Sequence, residues 1–297
     1  MEAPSTATHQ SVTFKMHWLC ICLLPVVSFL FSLLACIIAY NVGVDNGSFE
    51  PLPFIPYISD TGDISDTGNG NGNNPASSWF TFFLVLSCFP TAVIAFVRFL
   101  QLGQARRCTK ANKVALAFAV IFLIGKIMAA SFQLSKSKLV HMLGAGAYFL
   151  GATIYIVIHC YITKQDSSDN KWQKLVLVGR FILCAGLIVT LIILVIFANV
   201  RSLAVHNRGG ANVAQVCEWL WAAFKMFYFL TFCYDFWKVE FMFSSKFVVG
   251  GRNGGDEQST RSDRHDVTDA IRDGCQRNDA NYIIFDSQNH SVEIKEL

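Results

Sequence analysis

Charged residues are scarce in this chain, and their scarcity excludes an ordinary soluble domain. Only 15% of the 297 residues are charged, whereas 53% are hydrophobic. Soluble globular domains carry about a quarter charged residues. The net charge of +3 is also too small to indicate a nucleic-acid-binding surface. The composition therefore predicts a membrane protein without a nucleic-acid partner.

The longest polar segment before the last apolar run lacks both basic residues and cysteine. Residues 41–77 contain no Lys, Arg or Cys, although the chain has 10 cysteines. Disulfides in an oxidising compartment are expected in exposed loops, so this loop is not expected to be disulfide-stapled. The absence of positive charge places the loop on the luminal side of the membrane by the positive-inside rule.

The chain also lacks the short motifs that identify many membrane enzymes. It contains no HExxH sequence, no glycine-rich phosphate loop and no recognisable nucleophile–base pair. His141 and His159 are about 27 Å apart along one predicted helix, at about 1.5 Å per residue, so they cannot share a metal ion. We therefore expect a protein that is not an enzyme and has no metal or cofactor.

Six apolar runs are each long enough to cross a bilayer, which takes about 20 residues in a helix. Basic residues cluster in the second–third and fourth–fifth connections, which predicts that both termini are cytosolic. The fold class is therefore an all-α integral membrane protein, a bundle of six transmembrane helices. The predicted helices cover about 17–40, 78–102, 114–134, 139–162, 175–200 and 213–236. The predicted domains are a short cytosolic N-terminal tail (1–14), the transmembrane domain (15–245) with its luminal loop (41–77), and a disordered cytosolic tail (246–297).

Lys126, Glu218 and Lys225 fall inside the predicted bilayer, where an ionised side chain is costly and often functional. Lys126 lies in the third helix, whereas Glu218 and Lys225 lie in the sixth, two turns apart on one face. Lys126 and Glu218 fall at similar depths, which suggests the hypothesis of an ion pair between them. The alternative is that Glu218 and Lys225 snorkel or bond to water.

The fourth predicted helix carries a polar stripe, which indicates an inward-facing surface. His141, Tyr148, Tyr155 and His159 recur at helical spacing along one face. Gly151, four residues after Ala147, permits close approach of a neighbouring helix. Packing is the favoured role of this face.

Two short signals lie in the polar segments. Asn46-Gly47-Ser48 is a glycosylation sequon on the predicted luminal side, although its closeness to the first helix leaves its occupancy open. Tyr282-Ile283-Ile284-Phe285 fits a tyrosine-based sorting signal that clathrin adaptors bind as an extended strand. The alternative is an incidental apolar patch in the tail.

Two motifs resemble a known family. The stretch PFIPYISDTG after the first helix is similar to the first-loop motif of the DRAM family of damage-regulated autophagy modulators. Cys-Glu-Trp in the sixth helix, followed by FYFLTF and Asp-Phe, is similar to a second family motif. The matching residues are Pro53, Phe54, Pro56, Tyr57, Ser59, Asp60, Thr61 and Gly62 in the loop, and Cys217, Glu218, Trp219 and Asp235 in the helix.

The resemblance implies a six-helix endomembrane protein, typically lysosomal, that modulates autophagy and contacts membrane lipids without a known catalytic act. The wider superfamily of DRAM/TMEM-type and GPI-remodelling CWH-type proteins leaves two alternatives. One is a plasma-membrane scaffold that recruits a phosphoinositide kinase, and the other is a lipid or GPI-anchor remodelling factor.

The loop departs from the family pattern because ISDTG occurs twice, at Ile58–Gly62 and Ile64–Gly68. Only the first copy follows the Pro-Phe-Ile-Pro-Tyr approach, so the second is interpreted as a tolerated duplication in a long loop. Asp60 and Glu218 are expected to be the functionally sensitive positions. The alternative for Asp60 is a structural Asp/Thr turn.

Overall fold

Six helical spans form the transmembrane part of the protein in the computed structural model, as the hydropathy predicts. The structure describes residues 9–16, 18–45, 55–63, 75–104, 109–165, 170–200, 208–237, 239–248, 281–286 and 291–295. The helices are α1 (Trp18–Asp45), α2 (Ile58–Thr61), α3 (Pro75–Leu86), α4 (Cys88–Gln104), α5 (Thr109–Ser131), α6 (Lys138–Gln165), α7 (Lys171–Val200), α8 (Arg208–Leu230) and α9 (Phe232–Phe236). The observed ends differ from the predicted ends by up to five residues. Most helices continue past the apolar runs into polar residues, whereas α5 ends at Ser131, three residues before its predicted end.

The helices expose apolar side chains outward and bury polar ones. Phe89 and Leu139 are each 73% exposed, whereas Lys126 and Arg180 are fully buried. This inversion of the soluble pattern is expected where the solvent of the outer surface is hydrocarbon, because polar groups must then find partners inside the bundle.

The second span is broken at Ser87, between α3 and α4. Pro90 has no amide hydrogen, and its ring clashes with the carbonyl of the residue four positions earlier, Leu86. The Ser87 amide still donates to the Phe83 carbonyl at 3.0 Å, and the Ser87 hydroxyl donates to the Leu84 carbonyl at 2.6 Å. Pro90 therefore accounts for the short interruption of the second span at Ser87.

Two glycines allow α5 and α6 to pack in near-backbone contact. A Cβ atom on Gly125 would lie 2.5 Å from the Tyr148 amide nitrogen, and one on Gly144 would lie 2.7 Å from Met128 Cβ. Real Cβ atoms do not approach so closely, so only glycine fits these positions. Ala147 faces the same contact, in agreement with the small-residue packing predicted for the fourth membrane helix.

We expect Gly144→Ala to destabilise the bundle by about 1–3 kcal/mol, because the added methyl group would overpack a filled interface. Gly146→Ala is the matched control, since a Cβ atom there would meet nothing within 4 Å. Alanine is the better helix former by about 1 kcal/mol, so the control should melt at the wild-type temperature or slightly above. Thermal denaturation of both purified variants in detergent checks this, and equal melting temperatures would contradict it.

The terminal segments form a second unit that contains a four-stranded sheet. The strands are β1 (His9–Met16), β2 (Val239–Val248), β3 (Asn281–Asp286) and β4 (Ser291–Lys295), in the order β1-β2-β3-β4. The β1–β2 and β3–β4 pairs are antiparallel and the β2–β3 pair is parallel. The all-α expectation therefore holds for the transmembrane spans and not for these segments. Within 246–297, which the composition predicts to be disordered, the residues that the structure describes lie in β2, β3 and β4. β2 pairs with β1 and β3, and β4 pairs with β3.

Candidate functional site

The two sequence motifs of the predicted family are joined in the structure. Residues 55–63, which we call the docked loop, contain α2 and contact α8. The Ile58 amide donates a hydrogen bond to Glu218 Oε2 at 2.8 Å, and Trp219 Nε1 donates to the Pro56 carbonyl at 2.9 Å. Because an acceptor at the first amide of a helix satisfies a donor that the helix itself cannot, Glu218 holds the start of α2.

Inside the docked loop, Asp60 and Thr61 make local turn contacts. The Tyr57 amide donates to Asp60 Oδ2 at 3.4 Å, and the Thr61 hydroxyl donates to the Ile58 carbonyl at 2.7 Å. This is the Asp/Thr turn considered as the alternative for Asp60. The turn shapes the loop so that Glu218 can reach Ile58.

Gly62 ends α2 where the loop meets α3. A Cβ atom on Gly62 would lie 2.3 Å from Phe80 Cδ1, and Phe80 itself is buried against Ala35 and Ala130. The glycine of the first SDTG is therefore required by close packing.

Asp63 provides a third attachment that the sequence interpretation did not single out. Its carboxylate accepts hydrogen bonds from the Ser135 amide at 3.0 Å and from the Ser135 hydroxyl. Ser135 lies in the connection between α5 and α6, so the docked loop is tied to two parts of the bundle. In the sequence, Asp63 is distinguished only as an acidic residue directly after the first SDTG motif.

We expect Asp60→Ala to impair folding or trafficking and Asp66→Ala to be silent. Asp60 accepts a hydrogen bond from the Tyr57 amide within the turn, and losing such a bond costs about 0.5–1.5 kcal/mol. Asp66, in the second ISDTG copy, lies outside the described residues. The amounts of the two tagged variants at the cell surface and in organelle fractions, compared with wild type, check this prediction. Equal effects would show that the doublet acts as a unit.

A cavity lies inside the bundle beneath the docked loop. About 60 Å³ is open to the centres of water molecules, which is room for several waters because one needs about 10–15 Å³ by this measure. Ile58 and Ser59 form part of its wall, so the docked loop borders it directly. The side chains from the spans that line it are Ser32, Cys36, Phe80, Leu84, Lys126, Ala129, His141, Ala145, Tyr148, Phe149, Glu218, Trp221, Ala222 and Met226.

The predicted Lys126–Glu218 ion pair is wrong. Lys126 Nζ donates to Ser87 Oγ at 2.5 Å and to Ser32 Oγ at 3.3 Å, and no ion pair joins Lys126 to Glu218 within the described spans. The physical reason is that Glu218 turns toward the Ile58 amide. The break in the second span, meanwhile, presents the Ser87 hydroxyl to the lysine.

Lys225 is buried with only 2% of its surface exposed and lies against aromatic faces. Its Nζ atom is 5.5 Å from the Tyr148 ring centroid and 5.3 Å from that of Phe229. Lys126 Nζ is 6.0 Å from the same Tyr148 ring. These cation–π contacts replace the snorkelling considered for Lys225, since its surroundings are the bundle interior.

The polar stripe of α6 packs inward as predicted. One end of the stripe borders the cavity, and the other end lies in the packed interior of the bundle. His141 and Tyr148 border the cavity, and His141 Nδ1 is 2.7 Å from the Phe132 carbonyl oxygen. Tyr155 and His159 are each 1% exposed and contact one another, with ring centroids 4.3 Å apart. The two histidines do not meet, in line with their spacing.

A second charged cluster, which the sequence interpretation only partly found, joins α4, α7 and α9. Asp235, selected through the family motif, forms ion pairs with Arg180 and, at 3.5 Å, with Arg98. Arg180 also donates from Nε to Thr231 Oγ1 at 2.9 Å and from Nη1 to Thr163 Oγ1 at 3.1 Å. Both arginines lie inside predicted spans. A charge within an apolar run, the feature by which Lys126 was selected, would also have identified Arg98 and Arg180.

The remaining predicted residues divide into three groups. Cys217 is buried and packs with Leu194 and Ala214 in a cluster that Tyr57 also contacts, so its role here is packing. Tyr282 and Phe285 lie in β3, which pairs with β2 on one side and β4 on the other. The residues outside those that the structure describes are Asn46, Pro53 and Phe54.

These features define a class: a six-span integral membrane protein whose first loop is hydrogen-bonded to the sixth span over an internal cavity. The family model described as the Frag1/DRAM/Sfk1/Cwh43P N-terminal domain matches residues 20–239. The chain therefore belongs to this family, which confirms the resemblance to DRAM proteins.

Curated relatives support the same assignment. The chain is 30% identical to modulator of macroautophagy TMEM150B of Danio rerio over 222 residues, which cover 74% of this chain and 87% of the relative. It is 28% identical to DNA damage-regulated autophagy modulator protein 1 of Homo sapiens over 226 residues, 71% of this chain and 89% of the relative. Transmembrane protein 150A of Homo sapiens is 25% identical over 163 residues, 54% of this chain and 58% of the relative. No solved structure matches.

Proposed function

We propose that this protein modulates autophagy from lysosomal or other endomembranes, without catalysing a reaction, and that both of its termini are cytosolic. The observation that carries the proposal is that hydrogen bonds from Glu218 and Trp219 to the docked loop join the two family motifs. Relatives named for autophagy modulation share the aligned part of the chain. The non-enzymatic role is supported by the engagement of Glu218, an acidic residue of the cavity wall, in holding the loop.

The proposal is tested by autophagic flux in knockout cells. Loss of the protein should change the rate at which an autophagosome marker is degraded, and wild-type protein should restore it. Glu218→Leu should restore it less well than Glu218→Gln, since only glutamine keeps an acceptor for the Ile58 amide. Normal flux in the knockout would overturn the proposal.

Localisation distinguishes the alternatives. Tagged protein should coincide with lysosomal markers, and Tyr282→Ala should move it toward the cell surface if the tail binds clathrin adaptors. Such binding requires β3 to leave its two neighbouring strands. Surface protein that is insensitive to Tyr282→Ala, with altered recruitment of a phosphoinositide kinase, would favour the scaffold. Altered surface GPI-anchored proteins with normal flux would favour a remodelling factor.

Orientation is tested independently through Asn46. The proposed topology exposes Asn46 to the lumen, where a sequon can be glycosylated. Glycosidase treatment should increase the mobility of wild-type protein and leave Asn46→Gln unchanged. A protease-accessible C-terminal tag in intact organelles provides the second measurement, and a protected tag would contradict the proposed orientation.

A further inference from the structure

Two buried lysines near one end of the cavity have no carboxylate partner among the described residues. Lys126 is fully buried and Lys225 is 2% exposed, and both ammonium groups lie near the ring of Tyr148. Within the described spans, neither has a carboxylate at ion-pair distance. A buried ammonium group without an anion is electrostatically unfavourable, so an anion beside Lys126 would stabilise the charged form of this lysine.

Glu218 does not serve as that anion. Its carboxyl group is directed to the Ile58 amide at the docked loop, and Glu218 stands seven residues before Lys225 on α8. Seven residues correspond to about 10 Å along a helix. Glu218 therefore lies at the end of the cavity next to the docked loop, and the two lysines lie farther from the loop.

The size of the cavity suits a small anionic group and not a whole lipid. About 60 Å³ is open within it, which is room for a carboxylate or phosphate group, so a lipid would place only its head group there. Lys126 and Tyr148 lie in the cavity wall, and Lys225 Nζ is 5.5 Å from the Tyr148 ring centroid. Apolar side chains form much of the remaining wall, among them Leu84, Phe149 and Met226.

We propose that this cavity binds an anionic group, a carboxylate or a phosphate, against Lys126 with Lys225 supporting the positive potential. The same chemistry is available from a lipid head group or from a free anion. The Lys126 hydrogen bonds to Ser87 and Ser32 hold the ammonium at the wall, where the anion replaces the missing counter-charge. This site does not depend on the proposed role in autophagy.

Equilibrium binding to the purified full-length protein in neutral detergent tests the site. The probes are radiolabelled oleate, its uncharged methyl ester, and sodium acetate or inorganic phosphate as competitors. We expect oleate to bind at least tenfold more tightly than the methyl ester. Acetate or phosphate that displaces oleate at millimolar concentration would assign the site to free anions, whereas failure to displace it would assign the site to lipids.

Variants connect the binding to the two lysines. Lys225→Met and Lys126→Met should each weaken oleate binding at least tenfold, Lys225→Arg should retain most of it, and the exposed Lys138→Met should bind like wild type. Equal binding of oleate and methyl oleate to wild-type protein would overturn the proposal even if a lysine variant failed to fold. Unchanged oleate binding in folded Lys126→Met and Lys225→Met would overturn it as well. Normal autophagic flux with intact oleate binding would refute the proposed function alone.

Discussion

Replacing Arg180 with alanine should destabilise the bundle by about 3 kcal/mol, near the lower end of the range for removing one partner of a buried ion pair. Arg180 is fully buried, and its guanidinium contacts Thr163, Thr231 and Asp235. The lower end applies because Asp235 keeps Arg98 as a second partner at 3.5 Å. Thermal denaturation of the purified variant in detergent, with expression level as a second measure, checks this result.

Three variants sharpen the test of this cluster. Arg180→Lys should recover only part of the stability, because one ammonium cannot reproduce the fork of guanidinium hydrogen bonds. Asp235→Asn should also destabilise the protein, since it leaves two buried guanidinium groups without a carboxylate. Lys171→Ala, at an exposed position on the same helix, is the control and should melt like wild type. Wild-type melting of Arg180→Ala would mean that the cluster contributes little.

Replacing Glu218 with leucine should release the docked loop and lower stability by about 1–3 kcal/mol, the cost of leaving a buried donor without an acceptor. The Ile58 amide would lose its acceptor, and the neighbouring bond between Trp219 and the Pro56 carbonyl would be strained by the loop's movement. Limited proteolysis should therefore cut within residues 55–63 faster than in wild type. Melting in detergent measures the accompanying loss of stability.

Glu218→Gln is the matched control because its amide oxygen can still accept the Ile58 hydrogen bond. It should remain within about 1 kcal/mol of wild type, the scale of a neutral hydrogen bond. Trp219→Phe removes only the bond to Pro56 and should have an intermediate effect on loop cleavage. Equal cleavage rates for Glu218→Leu and Glu218→Gln would show that this hydrogen bond does not hold the loop.

The six spans were predictable because each requirement for crossing a membrane is local. About 20 apolar residues in succession suffice to define a span, and none of the six depends on a distant contact. The inward face of α6 was also predictable from the sequence, since His141, Tyr155 and His159 recur with the helical period. The sheet was not predictable in this way, because β2 and β3 form through pairing between segments far apart in the chain.

The partners of Lys126 and Glu218 could not be predicted from the sequence. Sequence position gives the depth of a residue along its helix, but it does not give the direction of the side chain around the axis or the loops that cover the helix end. Glu218 turned out to hold a loop 160 positions earlier in the chain. Lys126 instead bonds to hydroxyl groups, one of them exposed by the break beside Pro90.

By itself, the sequence determined the class of protein, the number of spans, the family motifs and the residues whose polarity is unusual in a membrane. The tertiary structure decided which of those residues meet: Glu218 with the docked loop, Asp235 with Arg98 and Arg180, and Lys126 with Lys225 around Tyr148. The physical reason is that hydrophobic burial in a bilayer is a property of each segment alone. A hydrogen bond or an ion pair requires two groups within about 3–4 Å, and only the packed bundle sets that distance.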